Sequence, residues 1–186
     1  MLRDADEALE LLRRERVLAL TPAPGVRSLV GEIAGDVRGS WWGHPQGGLI
    51  YSIATALEDS PEVLSGKLVR GKVAFVHRAL WPAIARVVLD ASWRRAAEKG
   101  LSTPAKQLLA EVERNGTLRL DGRAPARLEL EKRGLLLATS EHTPTGKHAV
   151  VLRSWRDWAP ADVRKAARAL DLEGARAELR AAGVTL

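Results

Sequence analysis

The sequence predicts an α+β fold, mostly helical, with an N-terminal helix-plus-β-hairpin unit and a C-terminal unit of helix, short strand, helix and β-hairpin. Three observations predict it. Apolar residues recur at helical spacing over most of the chain, as in Ile50, Ile53, Ala54 and Leu57. Two stretches leave that period for strand-like runs, one around Arg70-Gly71 and one around the polar residues 141–147. Glycine, proline and Asn115-Gly116 punctuate the segments between. On this pattern the chain divides into residues 1–100, residues 101–158, and a C-terminal helical pair, residues 159–186, packed on the rest.

Taken in order, Asp4 or Asp6 caps a first helix reaching about Val17, with Ala8, Leu9 and Leu12 on one face and acids in the first turn. Thr21-Pro22-Ala23-Pro24-Gly25 ends it. Residues 26–34 form a short helix on Leu29, Val30 and Ile33, and residues 49–58 form another on Ile50, Ile53 and Leu57. Residues 65–78 are β structure turning at Arg70-Gly71, with Val73, Phe75 and His77 on one face. His77 is expected to be a satisfied, partly buried histidine. Trp81-Pro82 opens a helix to about Lys99, with Pro at its first position.

Thr103 caps a helix over residues 104–114, and Thr117-Leu118-Arg119-Leu120 is a short strand. A helix over residues 124–133 ends at Gly134, and strands over 135–140 and 148–153 enclose the polar tip. After Trp155-Arg156-Asp157-Trp158-Ala159-Pro160 come two amphipathic helices, lined by Val163, Ala166, Ala167 and Leu170, and by Leu172, Ala175 and Leu179.

Composition narrows the function classes. With no cysteine, disulfides and thiolate metal sites are excluded, and four unpaired histidines predict neither a metal nor a cofactor. No run approaches the roughly 18 apolar residues of a membrane span, and the polar, acidic start is unlike a signal peptide, so the expected location is cytoplasmic. Net charge +6 favours anionic partners, although the 29 basic residues are interspersed with 23 acids. Six of the eight aromatics are tryptophan, suited to stacking on bases and equally to filling a core.

The least ordinary stretch is Arg38-Gly39-Ser40-Trp41-Trp42-Gly43-His44-Pro45-Gln46-Gly47-Gly48, a loop running into the helix that begins near Leu49. Two adjacent indoles sit there with an imidazole, a guanidinium, a hydroxyl and an amide. Trp41 and Trp42 read as core anchors or as a wedge against a base, and both readings stay open. Glu32, Asp36, His44 and Gln46 are the candidate catalytic groups, because hydrolysis beside a cationic sugar needs a carboxylate or base to orient water. Glu32 and Asp36 also read as surface acids.

Glu129-Leu130-Glu131-Lys132-Arg133-Gly134-Leu135-Leu136 resembles the end of the recognition helix and start of the wing in bacterial winged-helix proteins. The resemblance covers about residues 103–158 and implies a DNA-binding unit. It departs from that pattern between the first strand and the next helix, where only four residues replace the usual extra helix. Val69-Arg70-Gly71-Lys72-Val73-Ala74-Phe75-Val76, then Trp81-Pro82 and Arg153-Ser154-Trp155, looks like the layout of the winged-helix alkylpurine DNA glycosylases. That family's paired-glutamine motif is not found, since Gln46 and Gln107 stand alone. The expected DNA contacts are Arg38, Ser40, Trp41, Trp42, Arg70, Lys72, Arg123, Arg127, Lys132, Arg133, Lys147 and His148. The expected function is DNA binding in repair, with recognition of a damaged or distorted base. A monofunctional DNA glycosylase, a hydrolase of the N-glycosidic bond, is the enzymatic alternative, and a protein-interaction module is the third.

Overall fold

Asp4 accepts the Glu7 N–H at 2.9 Å and starts the first helix, α1 (Ala5–Glu15). The computed structural model describes residues 1–121, 124–142 and 148–186, with the backbone only at 121, 140–142 and 148. The chain is α+β and falls into two units, Met1–Trp81 with Glu178–Thr185, and Pro82–Ala177 with Leu186.

In the first unit α1 stops at Arg16, which turns into the left-handed region at φ 66°. Val17, the last residue of the expected helix, therefore begins strand β1 (Val17–Ala19), fully buried and paired antiparallel with the strand that carries Phe75. Three successive apolar residues, Val17, Leu18 and Ala19, fit a strand buried on both faces. Ser28 caps α2 (Leu29–Ala34) by accepting the Gly31 N–H at 3.1 Å, so that helix begins later than Val26. Helix α3 (Gly47–Glu58) is followed by β2 (Val63–Val69) and β3 (Lys72–His77). Arg70 and Gly71 join the strands with positive φ at both positions, 50° and 73°, the two-residue turn whose twist suits a hairpin. The sheet order is β1-β3-β2. Leu12, Leu18, Leu29, Ile50, Ile53, Leu57 and Phe75 form the centre of one apolar cluster, with Trp41 at its edge.

In the second unit the single helix expected over residues 81–99 is two, α4 (Trp81–Val88) and α5 (Ala91–Glu98). Asp90 breaks it. Its extended backbone and its carboxylate, which accepts the Ser92 and Trp93 N–H groups at 2.9 and 3.0 Å, make it the cap of α5. Helix α6 (Thr103–Asn115) is capped by Ser102, not Thr103, with Pro104 in its first turn. Strand β4 (Thr117–Asp121), helix α7 (Pro125–Lys132), and strands β5 (Leu137–His142) and β6 (His148–Arg153) follow. These strands make an antiparallel sheet of order β4-β6-β5, with Leu152 opposite both Leu118 and Ala138. A short helix, α8 (Trp155–Trp158), precedes the two expected ones, α9 (Ala161–Arg168) and α10 (Leu172–Ala181), the last straddling the division between units. The Trp155 Nε1–H donates to Gly134 O at 2.6 Å, and Trp158 meets its ring edge-on at 5.3 Å between centroids.

His77 is partly buried and satisfied. Its Nδ1 accepts the Ala79 N–H, which leaves Nε2–H to donate to Glu62 at 3.3 Å, while Arg13 grips the same carboxylate at 2.6 and 3.1 Å. The Arg13 guanidinium, then His77, hold Glu62 down to about 2, below the ordinary carboxylate value of 4.5. A lowered folded-state value means that this stabilisation is full above about 4.5 and is lost as pH falls towards 2. Glu62→Gln is therefore expected to flatten the acid limb of a denaturation-against-pH profile in that window. An unaltered limb would show that the pair contributes nothing.

Candidate functional site

The loop between α2 and α3 is organised by its own backbone. Trp41–Gly43 form a 3₁₀ turn in which His44 N–H donates to Trp41 O at 3.0 Å, and Gly47 N–H donates to His44 O at 2.8 Å. His44 Nδ1 accepts the Gln46 N–H at 3.1 Å, so its other nitrogen carries the proton in the neutral ring. Helix α3 then begins against the loop. A Cβ at Gly47 would lie 3.0 Å from Trp41 O and 3.1 Å from Trp42 O, too close for any residue but glycine without displacement.

This packing separates the two indoles. Trp41 is buried at 8% exposure in the apolar cluster, and Trp42 stacks on it with centroids 4.1 Å apart and planes 22° apart. Trp42 is itself 65% exposed. Tyr51, one turn into α3, lies 5.7 Å from Trp42 and is also exposed. Trp41 is thus a core anchor, and Trp42 is left exposed over it. Tyr51 was not singled out from the sequence, although its place on α3 opposite Ile53 and close to the loop was the available signal.

Around this face Arg38 and Ser40 are exposed, and Arg38 has no hydrogen-bond or ion-pair partner among the described residues. Asp36 and Gln46 are exposed, and His44 is half-buried. Glu32 is held at 2.8 and 2.7 Å by Arg27, so its carboxylate is already engaged in a two-point ion pair. Arg70 lies in the hairpin turn, its N–H donating to Thr185 Oγ1 at 2.6 Å, and Lys72 Nζ donates to Pro22 O.

Helix α7 divides its cations differently. Arg127 is nearly buried, 3.8 Å from Glu131, with its Nε making no hydrogen bond among the described residues. Arg133 donates to Ala97 O, Lys99 O and Gly100 O at 3.0, 2.6 and 3.4 Å. These two side chains serve the unit's own structure. Lys132 is exposed on α7, as is Leu128 at 45%. Arg123 and Lys147 lie outside the described residues, and His148 is described by its backbone only. Arg38, Ser40, Trp41, Trp42, His44 and Gln46 thus share one loop of the first unit, and Lys132 lies on α7 of the second.

Among the described residues no group of three or more His, Asp or Glu could hold a metal ion. No described helix is long and apolar enough to cross a membrane. No family model, curated protein or solved structure matches the chain.

Chemically, the loop offers a fixed indole for a flat π system and a solvent-facing guanidinium for an anion. Gly47→Ala is expected to have a lower melting temperature than Gly48→Ala, because the Trp41 and Trp42 carbonyls must move by a few tenths of an ångström to admit its Cβ. Gly48→Ala is the control, because nothing lies within 4 Å of a Cβ there. Equal melting temperatures for the two variants would show that the contact at Gly47 does not hold the loop.

Proposed function

We propose that the protein binds DNA and acts in DNA repair, with Trp42 meeting a damaged or distorted base. The observation that carries this reading is the exposure of Trp42 on a buried partner. An indole that is 65% exposed is costly in apolar surface left in water, yet this one is rigidly backed by Trp41 and flanked by Tyr51. A base lifted from its stack, or the gap it leaves, supplies a flat apolar partner for such a face. Arg38, exposed in the same loop, suits a backbone phosphate, which orders position rather than sequence.

The second unit supports the same reading. Its order α6, β4, α7, β5, β6 and its antiparallel sheet β4-β6-β5 are what support a winged-helix reading, with α7 proposed as the recognition helix and no room between Asp121 and Pro125 for that plan's usual extra helix. With Arg127 and Arg133 engaged internally, Lys132 is the exposed cation of α7 left to contact phosphate in that plan.

Anisotropy titrations of labelled duplexes, intact and carrying an abasic site, uracil or an alkylated base, at two salt concentrations, test the proposal. Trp42→Ala is expected to weaken binding to the distorted duplex by roughly 5- to 100-fold, the range of one lost stacking contact, and to affect the intact duplex less. Arg38→Ala is expected to weaken both and to lower the salt slope by about one. Alkali-labile breaks at one lesion would extend the reading to a DNA glycosylase. Absence of binding at either salt would contradict it and turn the Trp42 face towards a protein partner.

A further inference from the structure

The second unit holds a cluster of arginines that the DNA reading does not use. Arg86 on α4 and Arg164 and Arg168 on α9 line a pocket of about 340 Å³ together with Ala85, Leu89 and Ala167. Two of the guanidiniums are held by hydrogen bonds within the unit. Arg86 donates from Nε to Leu170 O at 2.9 Å and from Nη1 to Asp90 at 3.3 Å. Arg164 donates from Nη1 to Ala159 O at 2.6 Å and to Arg156 O at 3.3 Å. Each keeps further N–H groups outside these bonds. Arg168 is exposed and has no hydrogen-bond or ion-pair partner among the described residues.

Three like charges around one small concavity repel one another, and Asp90 offsets only the charge of Arg86. Such a cluster is costly without an anion and favourable with one. Guanidiniums already oriented by backbone carbonyls lose little further freedom when they bind, and their forked donors match the oxygens of a phosphate. A carboxylate has two oxygens to offer, whereas a phosphate monoester has three and up to two negative charges. The apolar residues Ala85, Leu89 and Ala167 suit the group that the phosphate carries.

We infer that this pocket binds a phosphate monoester bearing an apolar or aromatic group, either a free organic phosphate or the 5′-phosphate of a nucleic-acid strand. The inference is independent of the role given to Trp42. Its test is calorimetric titration of the full chain with phenyl phosphate and with inorganic phosphate, in the wild type, Arg168→Ala and Arg168→Glu. Phenyl phosphate is expected to bind saturably and more tightly than inorganic phosphate. Arg168→Glu is expected to weaken it by about tenfold or more, with cooperative thermal unfolding retained because the Arg168 side chain makes no internal bond. A preference for 5′-phosphorylated over 5′-hydroxyl oligonucleotide that Arg168→Glu removes would assign the phosphate to a strand end. Equal binding of the two oligonucleotides, with phenyl phosphate still bound, would assign it to a free ester. No saturable binding of phenyl phosphate, or undiminished binding by a folded Arg168→Glu variant, would overturn the inference.

Discussion

The contact between the start of α3 and the carbonyls of Trp41 and Trp42 fixes what the first unit presents to solvent. Helix α3 is held through Ile50, Ile53 and Leu57 in the apolar cluster, and Gly47 lets its first turn close on the loop. Trp41 is buried with that cluster, and Trp42 stacks on it. The exposed indole is thus a consequence of core packing carried outward through a backbone contact. A side chain at the surface of a long loop would otherwise lose conformational entropy on binding. Here much of that ordering has already occurred on folding.

Charge is distributed in a way that the net +6 conceals. Arg13 and Arg27 are paired with Glu62 and Glu32, Arg94 with Glu98 and Glu113, and Arg133 is spent on three carbonyls. Exposed pairs of this kind contribute about 0–1 kcal/mol each. Their larger effect is to decide which cations remain for a partner. Arg38, Lys132 and Arg168 are exposed, and Arg38 and Arg168 are unpaired among the described residues. They occur in three different settings: in the loop of the stacked indoles, on α7, and at an arginine-lined pocket. The first and last invite different anions, because one offers a π face and the other a concavity.

Much of the fold was legible in residue spacing. The Ile50–Ile53–Leu57 stripe, the Arg70-Gly71 turn, and the order from Ser102 to Arg153 all follow from local rules of period and turn chemistry. The differences arise where one backbone dihedral or one side-chain hydrogen bond overrides the period. Arg16 enters the left-handed region and releases Val17 to a sheet whose partner lies almost 60 residues away, information no local window contains. Asp90 fits an amphipathic helix by position but caps a new one by bonding two N–H groups. At the candidate site, the loop's composition singled out both tryptophans but could not divide their roles, since burial depends on what α3 packs against. Nor could spacing join Arg86 to Arg164 and Arg168, which are brought together by tertiary packing alone.

The central claim is that Trp42 is a presented stacking surface, and iodide quenching of tryptophan emission addresses it most directly. The free protein is expected to show a quenchable component that Trp42→Phe removes, and duplex carrying an abasic site is expected to protect that component when it binds. Quenching that persists unchanged in a saturated complex would contradict the account, because Trp42 would then face solvent rather than DNA.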